Sequence, residues 1–177
     1  AGGVADLVVG ARVSGANIPA GATVVSINTG NNSVVISEAA TASGVHEVAI
    51  FLAATDGHNQ KNINCSTAEA LSRYREVTAR AHADGRPFRA YVSCAFGCPY
   101  EGKVAPGRVV DLVGKLLALG AYEVSIGDTI GVGNPRQTVE LVRALKDVAP
   151  LDRLALHLHD TRGTALANIA AALDEGV

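Results

Sequence analysis

Leu154-Ala155-Leu156-His157-Leu158-His159-Asp160-Thr161 alternates apolar with small or polar side chains, the period-2 pattern of a strand with two distinct faces. Leu154, Leu156 and Leu158 share one face; Ala155, His157 and His159 share the other. Two imidazoles two residues apart on a strand project the same way, with Cα atoms roughly 6.5 Å apart. Both rings can then converge on one ion; the plain alternative is a pair of half-buried, hydrogen-bonded histidines. Asp160 and Thr161 follow at the strand's end, where α/β folds build their sites.

Working back towards the N-terminus, strand and helix patterns alternate. Glu47 to Leu52 is a near-continuous apolar run, predicting a parallel strand buried on both faces. After a polar loop, Ser66-Thr67-Ala68-Glu69 has the spacing of a capping box and predicts a helix to about Asp84-Gly85. Phe88 to Cys94 reads as the second strand. Pro106 opens a helix over Val109 to Leu119, and Gly120 is placed to end it in the left-handed region. Tyr122 to Ile126 is the third strand. It leads into Gly127-Asp128-Thr129-Ile130-Gly131-Val132-Gly133, and Asn134-Pro135 supplies the cap and first position of a helix to about Val148. The stretch quoted first is the fourth strand, and Thr164 to about Glu175 its helix. Four βα units imply an α/β fold with a parallel sheet and right-handed crossovers. Both a doubly wound sheet and a (β/α)8 barrel satisfy that order. Polar residues cluster after each strand, as on the site-bearing face of a barrel. A complete barrel needs about 250 residues, so residues 45–177 would form a partial TIM (β/α)8 barrel of about four units.

The first 44 residues differ. They hold three charged residues, Asp6, Arg12 and Glu38, among Gly, Ala, Ser, Thr, Asn and Val. Thr23 to Ile27 and Ser33 to Ser37 flank Asn28-Thr29-Gly30-Asn31-Asn32, which reads as a short β-hairpin with a five-residue loop. The chain thus divides into a β-rich segment, 1–44, and an α/β domain, 45–177. A net charge of −2 gives no electrostatic case for nucleic acid or an anionic membrane. No apolar run approaches the roughly 20 residues needed to span a bilayer, and the first residues lack the basic region of a signal peptide. Three cysteines, Cys65, Cys94 and Cys98, argue against a disulfide framework and for a reducing, cytoplasmic setting. C-x-x-x-C at Cys94 and Cys98 lacks the second pair a zinc site needs, so packing is the expected role. The Gly127–Gly133 run has no G-x-G-x-x-G spacing and no lysine partner, so phosphate binding is not expected there.

Four segments carry a family likeness. They are Lys61-Asn62-Ile63-Asn64-Cys65-Ser66, Tyr91-Val92-Ser93-Cys94-Ala95-Phe96-Gly97-Cys98-Pro99-Tyr100-Glu101-Gly102, Ser125 to Gly133, and His157-Leu158-His159-Asp160-Thr161. In this order and at helix-length separations they closely resemble the hydroxymethylglutaryl-CoA lyases, metal-dependent enzymes built on a TIM barrel. The resemblance implies carbon–carbon cleavage of 3-hydroxy-3-methylglutaryl-CoA to acetyl-CoA and acetoacetate. It implies an acyl-CoA partner and a divalent cofactor, Mg²⁺ or Mn²⁺, held by His157 and His159. Asp128 matches an acidic residue of the family's site, for proton handling or ligand orientation, with a loop-capping aspartate as the alternative. Asn62, Ser66, Tyr91, Ser125 and Thr129 match positions lining the family's pocket, each alternatively a turn or supporting residue. In a eukaryote the likeness would place the chain in the mitochondrial matrix.

The sequence also departs from that family. The Arg-Asp pair of the family's first strand has no counterpart before Val45, and position 162 is arginine where the family carries an aromatic. The family's remaining metal ligand and its acid-supplying cysteine fall beyond Val177, so the site is expected to be incomplete within these residues. Open sheet edges and an apolar inner face predict self-association into a homo-oligomer. Two other readings stay open: a related Claisen-type acyl-CoA synthase, and a non-catalytic β-module joined to barrel scaffold.

Overall fold

A computed structural model describes residues 24–28, 33–36 and 46–177. Near the N-terminus β1 (Val24–Asn28) pairs antiparallel with β2 (Ser33–Ile36), the hairpin predicted there. The other expectations for residues 1–44 lie outside the described residues. From β3 (Val48–Ala53) the order is α1 (Asp56–Ile63), α2 (Thr67–Ala83), β4 (Phe88–Ser93), β5 (Gly97–Cys98), β6 (Gly102–Lys103), α3 (Pro106–Ala118), β7 (Glu123–Asp128), α4 (Pro135–Leu145), β8 (Leu154–Leu158) and α5 (Ala165–Asp174).

The sheet order is β3-β4-β7-β8, every pair parallel and every strand beside its predecessor in sequence. A doubly wound sheet reverses direction at a switch point and buries both faces. Here the winding never reverses, and the burial is one-sided. Ile50, Leu52, Phe88, Ala90, Val92, Val124 and Ile126 are buried beneath the helices. On the opposite face Phe51 is 44% exposed and Arg89, Tyr91 and Ala155 are half-buried. This is a sector of a (β/α)8 barrel, and the expectation that the first strand is buried on both faces is corrected. The inner face is not uniformly apolar either. Arg89 and Glu123 form an ion pair on it, and Tyr91 and Ser125 add hydroxyls.

Local sequence accounts for the helices. In α2 the Ser66 hydroxyl accepts from the Glu69 N–H at 3.2 Å, and Glu69 accepts from the Ser66 N–H at 2.7 Å. Such a cap stabilises a helix by about 1 kcal/mol. Pro135 opens α4 behind a second reciprocal cap between Asn134 and Gln137. In α3, Val109, Leu112, Val113 and Leu116 repeat at helical spacing and are fully buried. Gly120 ends it at φ +95°, where an added Cβ would lie 2.5 Å from the His82 ring. Helix α4 stops at Leu145 rather than Val148, as the N–H of Val148 closes a tighter turn on Leu145 O and Pro150 disfavours helix in the residue before it. No helix among the described residues is long and apolar enough to cross a membrane.

Helices α4 and α5 are joined at their C-terminal ends. Arg143 (2.8 Å) and Lys146 (2.8 Å) both donate to Glu175. These bonds, Arg143's first, hold the Glu175 carboxylate at about 2, far below its ordinary 4.5. A carboxylate depressed on folding stabilises the fold above its unfolded value, and that stabilisation is lost as pH falls through the folded one. The thermal midpoint of the wild-type chain should therefore exceed that of Glu175→Gln near neutrality. The gap should close between pH 4.5 and about 2, which thermal melts across that range would read.

Candidate metal and acyl-ligand site

The C-terminal ends of the four strands open into a cleft of about 290 Å³. Its walls are Phe51, Tyr91, Val92, Ser93, Ser125, Gly127, Thr129, His157 and His159. The register explains why these residues meet. Phe51, Tyr91, Ser125 and Ala155 lie opposite one another across the sheet, and Gly127 and His157 pair in the layer above. Parity puts all of them on the face the helices leave open.

His157 and His159 project together, as the alternation predicts. Both are exposed, their Nε2 atoms are 3.2 Å apart, and their ring planes are inclined at 59°. Ligands about 2.1 Å from one octahedral ion sit about 3.0 Å apart on adjacent vertices, so the pair fits two neighbouring positions of a cation shell. Among the described residues no set of three or more His, Cys, Asp or Glu side chains gathers as a fuller shell. Asp160, the nearest carboxylate in sequence, accepts from the Ala165 N–H at 2.9 Å and so serves the start of α5.

The hydroxyl-bearing walls are fixed from behind. Thr129 Oγ1 accepts from the Cys94 N–H at 2.8 Å. The Tyr91 hydroxyl accepts from Arg89 Nη1 at 2.6 Å, and the same guanidinium lies 4.9 Å from the Tyr91 ring centroid. Charge on Arg89 is in turn held by Glu123.

Asp128 does not join them. It shares parity with Val124 and Ile126, is fully buried, and accepts from the N–H groups of Val132 (3.1 Å) and Gly133 (2.8 Å). That is the geometry of the loop-capping alternative, and the carboxylate does not line the cleft. The backbone of Asp128 nevertheless reaches the site, since its carbonyl accepts from the His159 N–H at 3.3 Å. Gly131, at φ +62°, packs so closely on this junction that an added Cβ would lie 2.8 Å from His159 O. Asn62 sits half-buried on α1 and Ser66 is spent on the α2 cap; neither lines the cleft.

Sequence reasoning missed Asn59. It is buried on α1, accepts from the Ala53 N–H at 2.7 Å, and donates to Ala53 O at 3.0 Å and Thr67 Oγ1 at 2.9 Å. It thereby closes the end of β3, the strand that carries Phe51. It also missed Phe51 as a wall, although its pairing with Tyr91 places it on the open face.

The HMGL-like family model matches residues 16–177. The mitochondrial hydroxymethylglutaryl-CoA lyase of Bos taurus is 49% identical over 140 residues, 79% of this chain and 43% of the bovine protein. The crystal structure of hydroxymethylglutaryl-CoA lyase from Pseudomonas aeruginosa superposes with a TM-score of 0.74 at 48% identity, covering 76% of this chain and 45% of that one. An HMG-CoA lyase from Acinetobacter baumannii, solved in complex with coenzyme A and 3-methylmalate, gives a TM-score of 0.71 at 32% identity over 75% of this chain and 43% of that one. The chain spans less than half the length of these relatives.

Proposed function

The chain belongs to the HMGL-like family, and on that footing we propose that it forms the histidine-bearing half of a carbon–carbon lyase acting on 3-hydroxy-3-methylglutaryl-CoA. The products would be acetyl-CoA and acetoacetate. The observation that carries this reading is the convergence of the His157 and His159 Nε2 atoms, 3.2 Å apart, beside four hydroxyl-bearing walls at the ends of parallel strands. The Acinetobacter baumannii relative binds coenzyme A, which supports an acyl-CoA ligand here.

His157 and His159 are the residues that would hold a divalent cation, Mg²⁺ or Mn²⁺. When bound, such an ion supplies positive charge to the substrate's hydroxyl and carbonyl oxygens and favours the alkoxide. The chain's own residues orient and shield. Ser125 and Thr129 offer hydroxyls to the acyl oxygens. Tyr91, its oxygen already accepting from Arg89, has its own proton free to donate. Phe51 walls the cleft with apolar surface and keeps water from an enolate leaving group. Asp128 acts as a positioning residue through the loop it organises and through His159.

The test is a chimaera in which this chain replaces the matching 140 residues of the Bos taurus enzyme. Stoichiometric release of acetoacetate and acetyl-CoA from the thioester in the presence of Mn²⁺ is the expected result. A folded chimaera that releases neither, or that condenses acetyl-CoA with a 2-oxo acid instead, would overturn the reading.

A further inference from the structure

The three cysteines are all buried and all reduced, in three different surroundings. Cys65 lies in the main core, where burial raises its thiol above the ordinary value. Cys94 and Cys98 pack together with Ala53 beneath Val104, a small cluster apart from that core. The cleft chemistry uses neither sulfur.

The two partners are not equivalent. Cys98 Sγ accepts from the Thr55 hydroxyl at 3.0 Å and from the Tyr100 backbone N–H at 3.4 Å. Sulfur accepts such bonds far better as thiolate than as thiol. Burial opposes the charge at Cys98, but the Thr55 hydroxyl and the N–H groups of Tyr100 and Glu101 outweigh it and hold the thiol below its ordinary value. At Cys94 burial prevails and pushes the thiol up to about 11. The cover over Cys98 is slight. Strands β5 and β6 pair at only two positions, Gly97 with Lys103 and Cys98 with Gly102, and Tyr100 at the turn is 58% exposed. A two-pair hairpin opens locally without global unfolding.

We propose that Cys94 and Cys98 form a reversible dithiol–disulfide site for small peroxides, with Cys98 the attacking sulfur, Cys94 the resolving one and Thr55 the supporting donor. In the first step the Cys98 thiolate attacks one peroxide oxygen. The S–O bond forms, the O–O bond breaks, and the departing hydroxide takes up the Cys98 proton as water. In the second step the Cys94 sulfur attacks Cys98. The S–S bond forms, the S–O bond breaks, and the sulfenic oxygen leaves with the Cys94 proton as a second water. Two thiols and one peroxide thus give one disulfide and two waters. The site borders the cleft, because the Cys94 N–H is the donor that fixes Thr129.

The experiment treats the whole chain with one equivalent of hydrogen peroxide, then digests it without reductant and maps it by mass. The peptide holding Cys94 and Cys98 should lose two hydrogens and resist iodoacetamide, while Cys65 stays alkylatable; dithiothreitol should reverse both changes. In Cys94→Ser, dimedone should trap the sulfenic acid on Cys98 about tenfold faster than on Cys65, as a stabilised thiolate requires. Oxidation of Cys65 first, or a dimedone adduct that avoids Cys98, would overturn the proposal. Should Cys94→Ser fail to fold, the wild-type map decides alone: an unlinked peptide after peroxide treatment refutes the site.

Discussion

Exchanging His157 and His159 together for alanine is expected to lower the affinity of the chain for Mn²⁺ by more than about 100-fold, beyond the roughly 10–100-fold that loss of a supporting contact around a metal site costs. Both imidazoles stand exposed on the cleft side of the sheet, opposite the face packed by the helices. Their removal therefore leaves no cavity, and melting temperatures should barely move. Isothermal titration of wild type and double variant reads the affinity, and circular dichroism checks the fold. The single variants should each fall part of the way, because either ring alone still offers one nitrogen. In the bovine chimaera the double variant should lose turnover with its metal.

Replacing Asp128 by alanine is expected to cost about 3 kcal/mol of stability, since one buried and one half-buried N–H lose their acceptor and each such loss costs about 1–3 kcal/mol. The donors are Val132 and Gly133, and Gly133 N–H is only 2.8 Å from the carboxylate. Urea denaturation measures this directly. An asparagine side chain at this position keeps one acceptor oxygen, so Asp128→Asn should lose roughly half as much. The loop also touches the site, through His159 N–H on Asp128 O and the tight approach of Gly131 to His159 O. Mn²⁺ affinity in Asp128→Ala should accordingly fall about tenfold, in the range of supporting-contact losses. A proton-handling Asp128 would behave otherwise: Asp128→Asn would abolish turnover in the chimaera while stability and metal affinity stayed intact.

The fate of Asp128 shows how far sequence carries. Its neighbours in alternation, Val124 and Ile126, are helix-facing, whereas Ser125 and Gly127 face the cleft. Parity alone assigns Asp128 to the buried side, but the likeness of the whole Gly127–Gly133 segment drew attention to the residue type instead. The same parity rule puts His157 and His159 on one face, and they project together there; Tyr91 and Ser125, singled out by the family likeness, line the same cleft. Helix starts were legible wherever a side chain caps a backbone, as at Ser66 and Asn134. Ser66 cannot also serve the cleft, because its hydroxyl and N–H are both occupied by Glu69.

Helix α1 was illegible for a physical reason. Asp56 to Ile63 contains one apolar residue, so it has no periodic face. It is held instead by polar contacts to the elements on either side: Asn59 on Ala53, and Asp56 accepting from the Thr67 N–H at 2.7 Å. Such bonds depend on tertiary placement and leave no local pattern. The β5–β6 hairpin is too short for alternation to register. Barrel and doubly wound sheets share one local grammar, and strand order together with one-sided burial separated them.

The most direct measurement of the central claim is an amide and imidazole NMR spectrum of the chain during substoichiometric addition of Mn²⁺, whose unpaired electrons broaden nearby signals first. The account predicts that the ring signals of His157 and His159 disappear earliest, followed by the amides of Ser93, Ser125 and Thr129 around the cleft. Broadening centred on His46, His58 or His82, or uniform broadening with no centre, would contradict it.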